Sequence, residues 1–210
     1  EITDGVWQTS IPLPSDQYFY AYNVYKDGVA TKVEDPANPY TLNPINGNNS
    51  GWCVFYAGEP ETALENMDLT FPRDDEKVGT YEYVPYTNVR GQESSVVVYL
   101  PYEYDASKTY PTLYISHGGG GNEMDWPTVG AVKNIFDNAI ANGDVEPTIV
   151  VSMNNTQLGW NYGQILTNLT DILFPMMEEK YNASPNAADR AFSGLSMGGL
   201  TKTDLSQNAA

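Results

Sequence analysis

Arg190-Ala191-Phe192-Ser193-Gly194-Leu195-Ser196-Met197-Gly198-Gly199 passes from a short apolar strand into a glycine-flanked serine and then into a helical pattern. Strand, G-x-S-x-G and helix in that order form the setting of a nucleophile elbow. The glycines have a steric purpose. On so tight a turn, a side chain two residues to either side of the serine would collide with neighbouring backbone. The turn also lifts the Ser196 Oγ clear of the sheet, near the positive end of the next helix. A bare G-x-S-x-G is equally compatible with a glycine-rich turn holding an incidental serine. The strand before it, the helix after it and a second glycine loop upstream favour the elbow. Ser196 is therefore the candidate nucleophile.

The upstream loop, His117-Gly118-Gly119-Gly120-Gly121, directly follows a strand ending at Ser116. Glycines there let backbone N–H groups approach a developing oxyanion. Met197 N–H with that of Gly118 or Gly119 would form the hole; a flexible surface loop is the alternative. Thr112 to Ser116 and Thr148 to Met153 are short, nearly continuous apolar runs of the kind buried on both faces of a parallel sheet. Between them Val132, Ile135, Phe136, Ala139 and Ile140 repeat at helical spacing, with Gly143 placed to end the helix. A second helix gathers Ile165, Leu169, Ile172, Leu173 and Met176 on one face, and Pro175 is expected to kink or restart it. Thr80 to Val84 and Ser94 to Leu100 read as an antiparallel pair turning at Asn88 to Gly91. Alternating strands and helices imply an α/β sheet.

The first 45 residues or so read as β-structure. Tyr18 to Tyr25 alternates aromatics as a half-buried strand does, Lys26-Asp27-Gly28 is a turn, and Asp35-Pro36-Ala37-Asn38-Pro39 is a loop. Residues 46–78 form a join, with Trp52 to Tyr56 as one more strand.

The 210 residues carry a formal charge of −17, from 10 Lys and Arg against 27 Asp and Glu. Such a surface repels nucleic acid and anionic lipid. No apolar run approaches the roughly 20 residues that span a bilayer. Sixteen tyrosines among many Asn, Thr and Gly suit carbohydrate, since flat rings stack on sugar faces; an extracellular surface of no special purpose reads the same way. The single cysteine, Cys53, excludes an internal disulfide. The pattern calls for no cofactor and no metal. Asn154, Asn155 and Gln157 follow the C-terminal end of a strand, where α/β ligands collect, and serve either as substrate contacts or as loop caps. These residues alone support an acyl hydrolase and nothing finer.

Tyr110 to Trp126, with His117 to Gly121 at its centre, and Arg190 to Gly199 together resemble the putative esterase (esterase D-like) family, over about Gly79 to Leu200. That group includes feruloyl and acetyl-xylan esterases of the first carbohydrate esterase family. The resemblance implies an incomplete α/β-hydrolase sheet in residues 79–210 and a secreted or extracellular (including periplasmic) serine esterase. Its partners would be plant cell-wall polysaccharide or its feruloylated and acetylated oligosaccharides. Trp126 and Trp160 are candidates for the substrate pocket wall or, equally, for core packing. Gly5-Val6-Trp7, Tyr20-Ala21-Tyr22, Asp27-Gly28 and Asp35 to Pro39 resemble the later strands of the early-set, immunoglobulin-like module, which implies a partial β-sandwich and linker over residues 1–75. Two alternatives remain: a non-catalytic glycan-binding protein on an esterase-like scaffold, and an enterochelin-esterase-like siderophore hydrolase.

The family mechanism needs an acid and then a histidine after the serine. The only histidine, His117, precedes Ser196 and is expected to shape the glycine loop. From Met197 to Ala210 the only acid is Asp204, so the chain is expected to be truncated, with the triad acid and base outside it. Oligomeric state is not legible here.

Overall fold

The structure is a computed structural model and describes residues 2–3, 6–38, 52–62 and 67–200. The N-terminal strands form three separate two-stranded antiparallel ladders: β1 (Ile2–Thr3) with β2 (Val6–Trp7), β3 (Asp16–Tyr20) with β6 (Cys53–Ala57), and β4 (Tyr22–Lys26) with β5 (Val29–Val33). The single strand expected over Tyr18 to Tyr25 is broken at Ala21. Tyr18 and Tyr20 pack on Phe55 of β6 (centroids 5.6 and 5.5 Å), whereas β4 is exposed throughout rather than half-buried. Beyond Ala21 the partner is β5, and the turn Asp27 (φ 52) and Gly28 (φ 78) closes a two-residue hairpin as expected. Pro39 and residues 39–51, part of the expected loop and join, lie outside the described residues.

The remaining strands form one mixed sheet. β7 (Thr80–Thr87) and β8 (Glu93–Leu100) pair as an antiparallel hairpin. β9 (Thr112–Ser116), β10 (Ile149–Met153) and β11 (Arg190–Gly194) complete the order β11-β9-β10-β8-β7. β9 runs parallel to β10 and β11, so the C-terminal ends of all three share one edge. β10 ends at Met153 opposite Val96, while the β7–β8 hairpin continues to Thr87 and Glu93; it therefore projects past that edge.

The helices are α1 (Asp125–Thr128), α2 (Val132–Asn142), α3 (Tyr162–Asn168) and α4 (Phe174–Tyr181). Alternation along the strands divides the core. Val96, Val98, Val151 and Met153 face Ile165, Leu169, Leu173 and Met177, while Tyr99, Ile115 and Val150 pack with Val132. Gly143 (φ 80) ends α2 as expected. Between α3 and α4 the backbone takes a π-helical turn, Leu169–Leu173. This is how the chain meets Pro175, which has no N–H for the preceding turn: one wide turn inside a continuous run replaces the expected kink. The extra residue also shifts the helical phase. The buried side chains recur every four residues, so Met177 is fully buried and Met176 is only partly so.

The N-terminal ladder is tied to this domain through α2. Asn134 Nδ2 donates to Tyr56 OH (3.2 Å) and to the Thr70 carbonyl (2.8 Å), and Asn138 Nδ2 donates to the carbonyls of Leu69 and Phe71 (2.9 and 3.0 Å). Gln17 Nε2 reaches the Thr128 carbonyl (3.2 Å).

Candidate active site

β11 leads straight into the elbow. Gly194 pairs with Ser116 at the end of β9, and Leu195 N–H donates to the Ser116 carbonyl (3.2 Å). Ser196 is exposed and takes φ 53, a left-handed conformation that costs an L-residue about 1–2 kcal/mol. The backbone is helical over 197–200, with Leu200 N–H donating to the Ser196 carbonyl (3.2 Å). The steric argument for the glycines holds in coordinates. A Cβ on Gly194 would lie 2.5 Å from the Gly198 carbonyl oxygen, and one on Gly198 would lie 2.7 Å from that of His117. The elbow is thus pressed against the glycine loop.

That loop folds back on itself: Gly121 N–H donates to the Gly118 carbonyl (3.2 Å), and Gly120 takes φ 80. Gly118 is buried directly behind the serine, where an added Cβ would sit 3.4 Å from Ser196 Cβ; one on Gly119 would touch the Met197 sulfur at 2.8 Å. Ser196, Met197, Gly118 and Gly119, far apart in the chain, therefore meet at the C-terminal edge of the sheet. An exposed serine beside a loop of glycine N–H groups is arranged for attack on a carbonyl carbon, with donors near the oxygen that becomes charged.

His117 is 1% exposed and held at both ring nitrogens. Nδ1 bonds the Gly118 carbonyl (2.6 Å), so it carries the proton, and Nε2 accepts the Asn155 N–H (3.2 Å). Both positions being committed to backbone, the imidazole shapes the loop and does not face Ser196 as a base, in line with its expected role. Asn155 is the clamp: besides that N–H, its buried side chain donates Nδ2–H to Ser116 Oγ (2.8 Å).

The two tryptophans separate. Trp160 stands edge-on to His117 (5.2 Å) with φ 56, at the same edge as the serine, and packs against the core on the α3–α4 side. Trp126 instead packs with Tyr99, Ile115, Val132 and Val150 on the α2 side, and its buried indole N–H finds no acceptor among the described residues. Its surroundings are those of the packing alternative.

Glu123 had no signal of its own in the sequence. Its carboxylate is 1% exposed; Oε1 accepts from Tyr83 OH (3.2 Å) and Ser95 Oγ (2.8 Å), and Oε2 from Asn154 Nδ2 (2.5 Å). It ties the glycine loop to β7, β8 and the segment after β10. Nearby Asp125 is held above the usual carboxylate range, chiefly by burial and further by the Glu123 charge, against the opposing pull of the Asn122 N–H.

Residues 87–202, more than half of the chain, match the family model described as "Putative esterase". An endo-1,4-beta-xylanase/feruloyl esterase from Xylanibacter ruminicola is 30% identical over 94% of this chain and 28% of its own length. Endo-1,4-beta-xylanase Y from Acetivibrio thermocellus is 35% identical over 78% of the chain and 15% of its own length. The chain thus spans under a third of these relatives. A solved feruloyl esterase module from Clostridium thermocellum, a serine-to-alanine variant complexed with sinapinate, is 33% identical at TM-score 0.54, covering 68% of this chain and 53% of that one. The enterobactin esterase of Shigella flexneri shares the fold (TM-score 0.55, over 84% of this chain and 44% of that one) at 16% identity. With its α/β-hydrolase sheet, elbow and glycine loop, the chain belongs to this esterase family.

Proposed function

We propose that the chain is the nucleophile-bearing part of a serine carboxylic-ester hydrolase that removes feruloyl or acetyl groups from xylan outside the cell. The observation that carries this is Ser196 at positive φ against the Gly118–Gly119 loop. Ser196 Oγ attacks the ester carbonyl carbon and gives its proton to a base. The resulting oxyanion rests on the N–H groups of Met197 and of Gly118 or Gly119. The alcohol leaves with a proton, and water then hydrolyses the acyl-enzyme, freeing Ser196. The sole histidine is committed to backbone, so it is not assigned as that base.

The relatives named for feruloyl esterase favour ferulate over acetate, and Trp160 provides a ring at the site edge. Residues 1–75 are read as the early-set module; the likeness to the enterobactin esterase covers 84% of the chain and so reaches into these residues, as a likeness of fold alone. Its low identity gives the siderophore reading no support beyond fold.

The test is hydrolysis of methyl ferulate by the full-length protein. Ser196→Ala is expected to lower kcat by at least about 10³-fold with the fold intact by circular dichroism. Activity unchanged in that variant would refute the assignment, and release from catechol esters in preference to ferulate would favour the siderophore reading.

A further inference from the structure

A polar cavity of about 610 Å³ opens beside the glycine loop, away from Ser196. Its floor is Tyr83 and Ser95 on neighbouring strands β7 and β8. Its walls are the projecting hairpin end at Thr87 and, opposite, Glu123, Asn154 and Gln157. Ser196 follows β11, at the far side of the sheet order, three to four strand spacings of about 4.8 Å each from β8 and β7. The floor of the cavity therefore lies roughly 14–19 Å across the sheet from the strand that leads into Ser196.

Its chemistry is specific. The hydroxyl hydrogens of Tyr83 and Ser95 are both committed to Glu123 Oε1, and one Asn154 N–H to Oε2. What the Ser95 hydroxyl can still offer a ligand is lone pairs, and Glu123 and the exposed Glu93 add carboxylate acceptors from opposite walls. The Tyr83 ring and the exposed Pro85 add apolar surface beside those acceptors. A ligand rich in O–H donors, with apolar C–H faces and no negative charge, fits such a site; an anionic sugar is repelled by Glu93, Glu123 and the −17 chain.

We propose that this cavity is a subsite for neutral sugar units of the polysaccharide chain, several units from the ester that Ser196 attacks. This rests on the esterase reading above. A polymer anchored here and cleaved at Ser196 is held at two points, which raises the local concentration of its ester without any change in chemistry.

The test uses the full-length protein and the variants Thr87→Trp, which fills the mouth of the cavity from an exposed position, and Glu93→Ala, which removes an exposed carboxylate acceptor from its wall. Methyl ferulate has no sugar; a feruloylated xylo-oligosaccharide has both parts. Thr87→Trp is expected to raise KM for the oligosaccharide ester about tenfold, with kcat and KM for methyl ferulate within about twofold of the parent. Glu93→Ala is expected to act in the same sense. Calorimetric titration with xylotetraose should show binding to the parent and about tenfold weaker binding to Thr87→Trp. Equal changes on both esters, no change on either, or no xylotetraose binding would overturn the subsite. Xylotetraose binding without hydrolysis of either ester would leave the subsite standing and overturn the esterase reading instead.

Discussion

Replacing Glu123 with glutamine would test whether one buried carboxylate holds the glycine loop in place. In the structure it accepts three hydrogen bonds, from Tyr83, Ser95 and Asn154, and is 1% exposed. Bonds to a charged acceptor contribute about 1.5–3 kcal/mol each and neutral ones about 0.5–1.5. Glutamine keeps one acceptor oxygen and turns an N–H₂ toward whatever the other oxygen faced. Hydroxyls can accept from that amide, and the Asn154 amide can rotate, so most of the bonding survives in neutral form. The net loss is then about 1–3 kcal/mol, because the removed charge also no longer has to be desolvated. Glu123→Leu leaves the nearly buried Ser95 hydroxyl without an acceptor and should cost more, about 2–4 kcal/mol. Urea unfolding at pH 7 followed by circular dichroism reads both, and the glutamine variant should lose about 2–4 °C in Tm per kcal/mol. Because the same side chain anchors the loop carrying Gly118 and Gly119, kcat on methyl ferulate should fall more than KM rises. Stability within about 0.5 kcal/mol of the parent for both variants, together with unchanged kcat, would refute the clamp.

Gly198→Ala places a methyl group 2.7 Å from the His117 carbonyl oxygen; we expect about 1–3 kcal/mol of destabilisation and a drop in kcat, measured by urea unfolding and methyl ferulate hydrolysis. Asp125 supplies a pH test. Burial raises its folded pKa above the unfolded value, so its charged form disfavours the folded state above that pKa, and the penalty is relieved as pH falls through it. Asp125→Asn should therefore be more stable than the parent at pH 7, with the difference closing as the pH is lowered through that folded pKa; a constant difference across pH would contradict the burial argument.

The parts of this molecule legible in the sequence are those governed by local sterics and periodicity. The elbow announces itself because only glycine fits at Gly194 and Gly198, and β9 and β10 because apolar runs bounded by turns fit few other structures. The break at Ala21 was hidden because β3 is completed by β6, with more than thirty residues between them, and no alternation in Tyr18 to Tyr25 records that partner. Met177 displaced Met176 because a π-turn changes the helical period, which a fixed spacing of 3.6 does not anticipate. Glu123 has no pattern in the sequence that marks it as buried. Charged residues are ordinarily exposed, and its burial depends on three donors from separate segments. Trp126 and Trp160 have the same chemistry and both pack on a core cluster, one on each face of the sheet.

The backbone at Ser196 sets durability against chemistry. Its φ of 53 carries a cost of about 1–2 kcal/mol that glycine would not bear, offset by the roughly 0.4–1 kcal/mol that glycine's freedom adds to the unfolded chain. A variant chosen only for resistance to heat would thus drift toward glycine at this position and lose the proposed nucleophile on the way. Screens that enrich for folded protein will select against the hydroxyl on which the proposed reaction depends, so any effort to toughen this domain has to hold residue 196 constant and seek its gains elsewhere.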